Sequence, residues 1–272
     1  MEEAEEEKSS EETEPVSLEV LGRCYELGVQ MAPALFHRSN LGSEQTESEM
    51  DATGLRLWSR CCRVLLEWLG QSDIVRGRSV VELGCGACAA LSSVLIEEPF
   101  CAAKATATDG HERVVALAKR NARGRFNVEE LRWGDDTKLK ADIIVGSELM
   151  YYNTPVELLV QTVDSVLSKD GAAFFCHVLR DATLPMRMVH ACRRHHLDIM
   201  DVTHMKEIEE EDIGDDPLLW KVKLYVVYRT SSRDDAFFYA TLLQDARPFS
   251  ETLDDEEDND QSWLFPPLPA RC

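Results

Sequence analysis

The chain has 272 residues, 44% hydrophobic and 29% charged, with a formal net charge of −21. That length and balance suit one globular α/β domain with a sizeable core and flanking tails. No apolar run approaches the roughly 18 to 20 residues of a membrane span, and the acidic N-terminus is the opposite of a signal or transit peptide, so a cytoplasmic or nuclear address is expected. The acid surplus disfavours nucleic acid as a partner, and nine cysteines without a secretory signal are expected to be reduced thiols.

Residues 1–14 hold eight acids and one lysine and read as a solvated, disordered tail. An N-terminal extension, 15–53, follows. Its Leu18, Leu21, Tyr25 and Val29 are spaced as on a helix, and a polar loop is expected at 39–48. The main domain is read as 54–249. It opens with an amphipathic helix whose apolar face is Leu57, Cys61, Leu65 and Leu69, flanked by Trp58, Cys62 and Leu66, with Asp51 or Thr53 as its cap and Gly70 at its end. The pattern then alternates: strand 79–84, helix 87–97, strand 103–109, helix 111–122, strands 128–133 and 141–147, helix 154–168, strand 171–178, helix 183–195, strand 198–204. Strands separated by helix-length segments predict a doubly wound parallel sheet. An acidic insert at 206–216 leaves no room for a crossover helix before the strand 221–228, so these last two strands are expected to pair antiparallel. A final helix is read at 234–246, and 250–272 is a second acidic tail with a proline-rich end.

The stretch 80–90, Val-Val-Glu-Leu-Gly-Cys-Gly-Ala-Cys-Ala-Ala, is a buried strand, a sharp turn and a helix opening. Without a Cβ at Gly84 or Gly86 a ligand can approach the main chain, and the following helix directs free N–H groups towards it. Gly84-x-Gly86-x-x-Ala89, with Asp109 closing the next strand, also satisfies the dinucleotide fingerprint. Glu82 separates the two readings: an NAD site has no use for a charge there, whereas an acid can face the amino group of a methionine moiety. Cys85 and Cys88 form a C-x-x-C with no second pair at zinc spacing, so no metal site is expected.

Glu82-x-Gly84-x-Gly86 followed by Asp109 resembles the first motifs of the seven-strand S-adenosylmethionine-dependent methyltransferases, which also have a reversed last strand. Leu131-Arg-Trp133-Gly134-Asp135 and the run from Ala141 to Ser147-Glu148-Leu-Met-Tyr151 resemble the family 16 branch, best known for protein-lysine methylation. Gly54-x-x-x-Trp58, Asn121 and Arg180 fall where that branch has them, and the likeness covers 54–229. It implies a Rossmann-like seven-strand sheet with an antiparallel last strand, and S-adenosylmethionine as cofactor. Residue by residue, it implies Glu82, Gly84, Cys85 and Gly86 around the methionine and sulfonium, and Asp109 on the ribose hydroxyls. Trp133 and Trp58 would lie against the adenine, with Ser147 behind the cofactor. Glu148 would orient the acceptor nitrogen, and Tyr151 or Tyr152 would wall its channel. The chain departs from the family in having Cys88 for the third loop glycine and Glu148 for an aspartate.

The resemblance implies transfer of a methyl group to a lysine of a protein, a basic one given the acidic flanks, and a monomer that needs no membrane is expected. A small-molecule N-methyltransferase would use the same loop, and a silent methyltransferase fold used as a binding module would explain Cys88 and Glu148. An NAD enzyme would need a hydride-transfer constellation such as Tyr-x-x-x-Lys, which is not seen.

Overall fold

The computed structural model describes residues 13–31, 53–151, 154–203, 222–229, 231 and 247–248. Residues 1–12, the polar loop read at 39–48, the insert 206–216, the helix read at 234–246, the tail 250–272 and Tyr152 lie outside the described residues, whereas Thr13 and Glu14, read as part of a disordered tail, are strand. The first element is a hairpin of β1 (Thr13–Val20) and β2 (Arg23–Met31), where the spacing of apolar residues predicted a helix. Alternation wins over that spacing: Leu18 and Val20 on one strand and Tyr25 and Leu27 on the other are buried against the main core. Leu21 and Gly22, at φ 51° and 71°, make a turn whose twist matches a two-residue hairpin. Glu14 belongs to β1, and its carboxylate accepts from Gln30 Nε2 at 2.7 Å.

Helix α1 (Ser59–Leu69) starts after Trp58 without a side-chain cap, so Thr53 does not cap it; Asp51 lies outside the described residues. The sheet follows with β3 (Ser79–Leu83), α2 (Ala90–Leu95), β4 (Lys104–Asp109), α3 (Glu112–Ala122), β5 (Asn127–Glu130) and β6 (Ala141–Ser147). It continues with α4 (Val156–Val166), β7 (Leu167–Val178), α5 (Leu184–Arg194), β8 (Leu197–Asp201), β9 (Val222–Arg229) and the two-residue β10 (Arg247–Pro248). The order across the sheet is β10-β8-β9-β7-β6-β3-β4-β5. Strands β3 to β7 pair parallel, and β9 runs antiparallel to both β7 and β8. The expected seven-strand sheet with its reversed last strand is therefore present, extended by β10.

Neighbouring residues face opposite layers. Phe174 packs under α1 to α3 and the hairpin, while Phe175 packs under α4 and α5. Burial on both faces explains the nearly continuous apolar runs of β3 and β6. The chain leaves β3 towards β4 and β5, then returns to the other side at β6. This reversal opens a crevice at the carboxyl ends of β3 and β6, where such sheets bind ligands. Among the described residues, no helix is long and apolar enough to cross a membrane.

The hairpin is bolted to that crevice by Asn121 of α3. Its Nδ2 donates to Val29 O at 2.7 Å and to Ala87 O at 2.8 Å, and its Oδ1 accepts from Val29 N–H at 3.1 Å. Gln30 Oε1 accepts from Leu57 N–H at 2.9 Å, which ties β2 to the approach to α1.

Candidate active site

A cleft of about 500 Å³ opens at the strand reversal. Trp58, Gly84, Cys85, Gly86, Asp109, Trp133, Ser147, Glu148 and Tyr151 all line it, so the fold gathers nine of the ten site residues read from the sequence. Glu82 does not line it.

The loop after β3 is shaped by its backbone. Gly84 and Gly86 both stand at φ 58°, and a Cβ on Gly86 would lie 3.1 Å from Gly54 O. The segment at Gly54 thus covers the loop closely, and Ala87 N–H donates to the same carbonyl at 2.7 Å. Cys88, where a glycine was expected, does not adopt a positive φ; Ala89 does, at 42°. The Cys88 side chain packs into the core, where burial pushes its thiol up to about 12, so the substitution leaves the cleft open.

Glu82 points the other way. Its carboxylate accepts from Ser92 N–H at 2.7 Å and Leu91 N–H at 3.3 Å, and it thereby caps α2, which has no side-chain cap of its own. Burial pushes its carboxyl from 4.5 up to about 7, against the lowering effect of those hydrogen bonds. With the folded value raised above the unfolded one, its contribution to stability is complete below about pH 4.5 and is lost as pH rises through about 7. Glu82→Gln is therefore expected to flatten that fall, as read from denaturant midpoints at pH 5 and pH 8. An equal fall in parent and variant would assign the pH dependence elsewhere.

Asp109, at the end of β4, accepts from Gly86 N–H and His111 N–H, each at 3.1 Å, and burial raises its carboxyl above the usual range. It braces the glycine loop and also borders the cleft. Strand β5 ends at Glu130, three residues short of the expected boundary, so Trp133 stands in the turn beyond it. Gly134 N–H donates to Thr162 Oγ1 at 2.8 Å, which fixes that turn on α4.

The opposite end of the cleft is built around Glu148, just after β6. Its backbone is in the left-handed region, at φ 56°, and its N–H donates to Cys176 O at 2.8 Å. A non-glycine residue held there is strained, a cost that tends to appear at functional positions. One carboxylate oxygen accepts from the Cys61 thiol at 2.9 Å, and the other is ion-paired with Arg180. The Arg180 guanidinium lies 5.8 Å from the centre of the Trp58 ring. Trp58 thus belongs to the Glu148 end of the cleft, and its indole N–H donates to Thr53 O at 3.0 Å. Trp58 is 44% and Tyr151 36% exposed, so the mouth is walled by two accessible rings. Ser147 Oγ lies 2.9 Å from Cys62 Sγ, behind the cleft. Sequence reasoning placed Cys61 on the apolar face of the first helix, Gly54 in a motif and Arg180 after a strand, each without the partner it meets here. The thiol and the guanidinium meet Glu148 across 87 and 32 residues of chain, a distance no local pattern spans.

A family model described as lysine methyltransferase matches residues 38–188. No curated protein matches the chain at a significant level. Among solved structures, a ribosomal protein L11 methylase from Lactobacillus delbrueckii subsp. bulgaricus is similar at 17% identity and a TM-score of 0.47, over 64% of this chain and 80% of that one. A TehB-like SAM-dependent methyltransferase from Corynebacterium glutamicum is similar at 14% identity and 0.45, over 73% and 100%. An S-adenosylmethionine-dependent methyltransferase from Mesorhizobium loti is similar at 16% and 0.44, over 60% and 95%.

Proposed function

The chain belongs to the lysine methyltransferase family, and from that premise we propose that it N-methylates a lysine side chain of a protein substrate. It is a methyltransferase with S-adenosylmethionine as its cofactor. When bound, that cofactor supplies an electrophilic methyl group on a good leaving group, so the protein has mainly to bind and to orient. The residues present fit it. Gly84 and Gly86 bring bare backbone to the wall of the cleft, Asp109 offers a carboxylate, and Trp133 offers an aromatic wall. Gly84, Cys85 and Gly86 would take the amino-acid part, Asp109 the ribose hydroxyls and Trp133 the adenine, with Ser147 behind them.

The observation that carries the lysine reading is Glu148 lining one cleft together with two exposed aromatic residues, Trp58 and Tyr151. A long aliphatic stem can lie along such rings, with its nitrogen oriented by the carboxylate. An open mouth suits an amine on a protein surface better than a small molecule enclosed in a pocket. The acid-rich segments at both ends of the chain would favour a basic protein. Incubation with radiolabelled S-adenosylmethionine and cell lysate is expected to label a protein band whose hydrolysate contains methylated lysine. Label found only in small molecules, or in another amino acid, would overturn the reading.

Asp109→Ala is expected to weaken binding of S-adenosylhomocysteine about tenfold by calorimetry, the ~1.5 kcal/mol of a hydrogen bond to a charged group. NAD is expected to give no heat. Comparable affinity for NAD would return the site to the dinucleotide class.

A further inference from the structure

An anion beside an amine stabilises the ammonium form. An ammonium has no lone pair with which to attack a methyl group, so a bare carboxylate at Glu148 would orient a lysine and disarm it at once. Glu148 is not bare. Its side chain is 9% exposed, one oxygen is engaged by the Cys61 thiol, and the other is ion-paired with Arg180, which is 31% exposed and rests on Trp58. A carboxylate has about four acceptor positions, so room remains for an amine N–H while the pair stays electrically neutral.

The thiols, the imidazole and the phenol nearest the pair carry little charge near neutral pH, while of the other charged groups lining the cleft Arg56 is ion-paired with Glu14 and Arg132 with Glu130. On α1, the Cys61 thiol is pushed up by its hydrogen bond with Cys176 of β7 and by burial, and that of Cys62 by burial. His177 of β7 is held down at about 3 by burial and then by the Arg180 charge. Tyr151 is raised by burial and then by Asp109. Asp109 and His111 stand at the loop side of the cleft. Asp181, next to Arg180, turns back to accept from Thr183, and Arg187 of α5 donates to Thr154 O.

We propose that Arg180 is a positioning residue that sets the protonation of the acceptor amine: its guanidinium cancels the charge of Glu148, so that the carboxylate orients the nitrogen without holding a proton on it. This rests on the lysine reading above. Trp58 acts with it by fixing the guanidinium through a cation–π contact.

The test is the pH dependence of label transfer to the lysate protein that the parent methylates, measured for Arg180→Ala, Arg180→Lys, Glu148→Gln and the double variant Glu148→Gln/Arg180→Ala. Arg180→Ala leaves a bare anion and is expected to move the acid limb of the profile up by about one pH unit. Arg180→Lys is expected to restore it. Glu148→Gln leaves a bare cation and is expected to move the limb down, and the double variant to return it to the parent position at a lower rate. Affinity for S-adenosylhomocysteine, measured by calorimetry, is expected to stay within about twofold throughout, since the pair orients the acceptor. If Arg180→Ala slows transfer with the limb unmoved, or Lys fails to restore it, Arg180 is merely structural. Loss of S-adenosylhomocysteine binding would place Arg180 in the cofactor site and overturn the proposal. A parent that labels no protein defeats the lysine reading and this proposal with it, whereas a labelling parent with an unmoved limb defeats this proposal alone.

Discussion

Glu148→Ala is expected to reduce methyl transfer about a hundredfold, roughly 2.7 kcal/mol of lost positioning, while S-adenosylhomocysteine still binds at nearly the parent affinity. Alanine keeps the Cβ and so the strained φ of 56°, but it removes the group that meets Cys61, Arg180 and the incoming nitrogen. The Gly84 to Gly86 loop is braced from the other side, by Asp109 and the carbonyl of Gly54, and is not expected to move. Glu148→Asp restores the residue usual in the family and should keep substantial activity, provided the shorter side chain still reaches Arg180. A parent-like rate in the alanine variant would remove Glu148 from the site.

Asn121→Ala is expected to destabilise the fold by about 3 kcal/mol, because three hydrogen bonds go at once and each buried group left unpaired costs about 1 to 3 kcal/mol. For a domain of this size the melting temperature should fall by roughly 6 to 12 °C. Cofactor affinity should fall with it, since Ala87 O, one of the freed partners, belongs to the glycine loop. Gly28→Ala tests the same joint from the hairpin side. Gly28 stands at φ 110°, and a Cβ there would come within 2.4 Å of Asn121 Oδ1. If both variants melt like the parent, the hairpin is an appendage and not a brace.

The central strands and the glycine loop were legible because each rests on a local pattern. Val80 to Leu83 and Ile143 to Val145 are apolar runs at strand length, and Gly84 and Gly86 mark a turn that few other residues can make. The hairpin was misread for an equally local reason: Leu18, Leu21, Tyr25 and Val29 fit a helical stripe as well as Val16, Leu18 and Val20 fit a strand. The deciding residues, Leu21 and Gly22, form a turn in which a leucine takes a positive φ, something propensity argues against. Glu82 illustrates a different limit. Its position in β3 was right, but a strand end offers two directions, and the unsatisfied N–H groups of Leu91 and Ser92 chose the one away from the cleft. The neutral pair of Glu148 and Arg180 depends on β6 and β7 being neighbours in register, with Ser147 opposite Cys176. That is a property of the assembled sheet.

The position of β9 bears on how the protein is made. Among the described residues, β8 has no sheet partner except β9 and the short β10, and both come after it in the chain. β9 also fills the place between β7 and β8, so neither of those edges can be closed until residues 222–229 have been synthesised. A nascent chain arrested at Asp201 would carry the cofactor loop complete on a five-strand platform, but with one open flank at β7, the strand of Phe174 and Phe175. Unpaired strand edges of that kind recruit other chains, so premature termination anywhere between the two strands should yield insoluble product, and a chaperone that shields β7 should act late in translation.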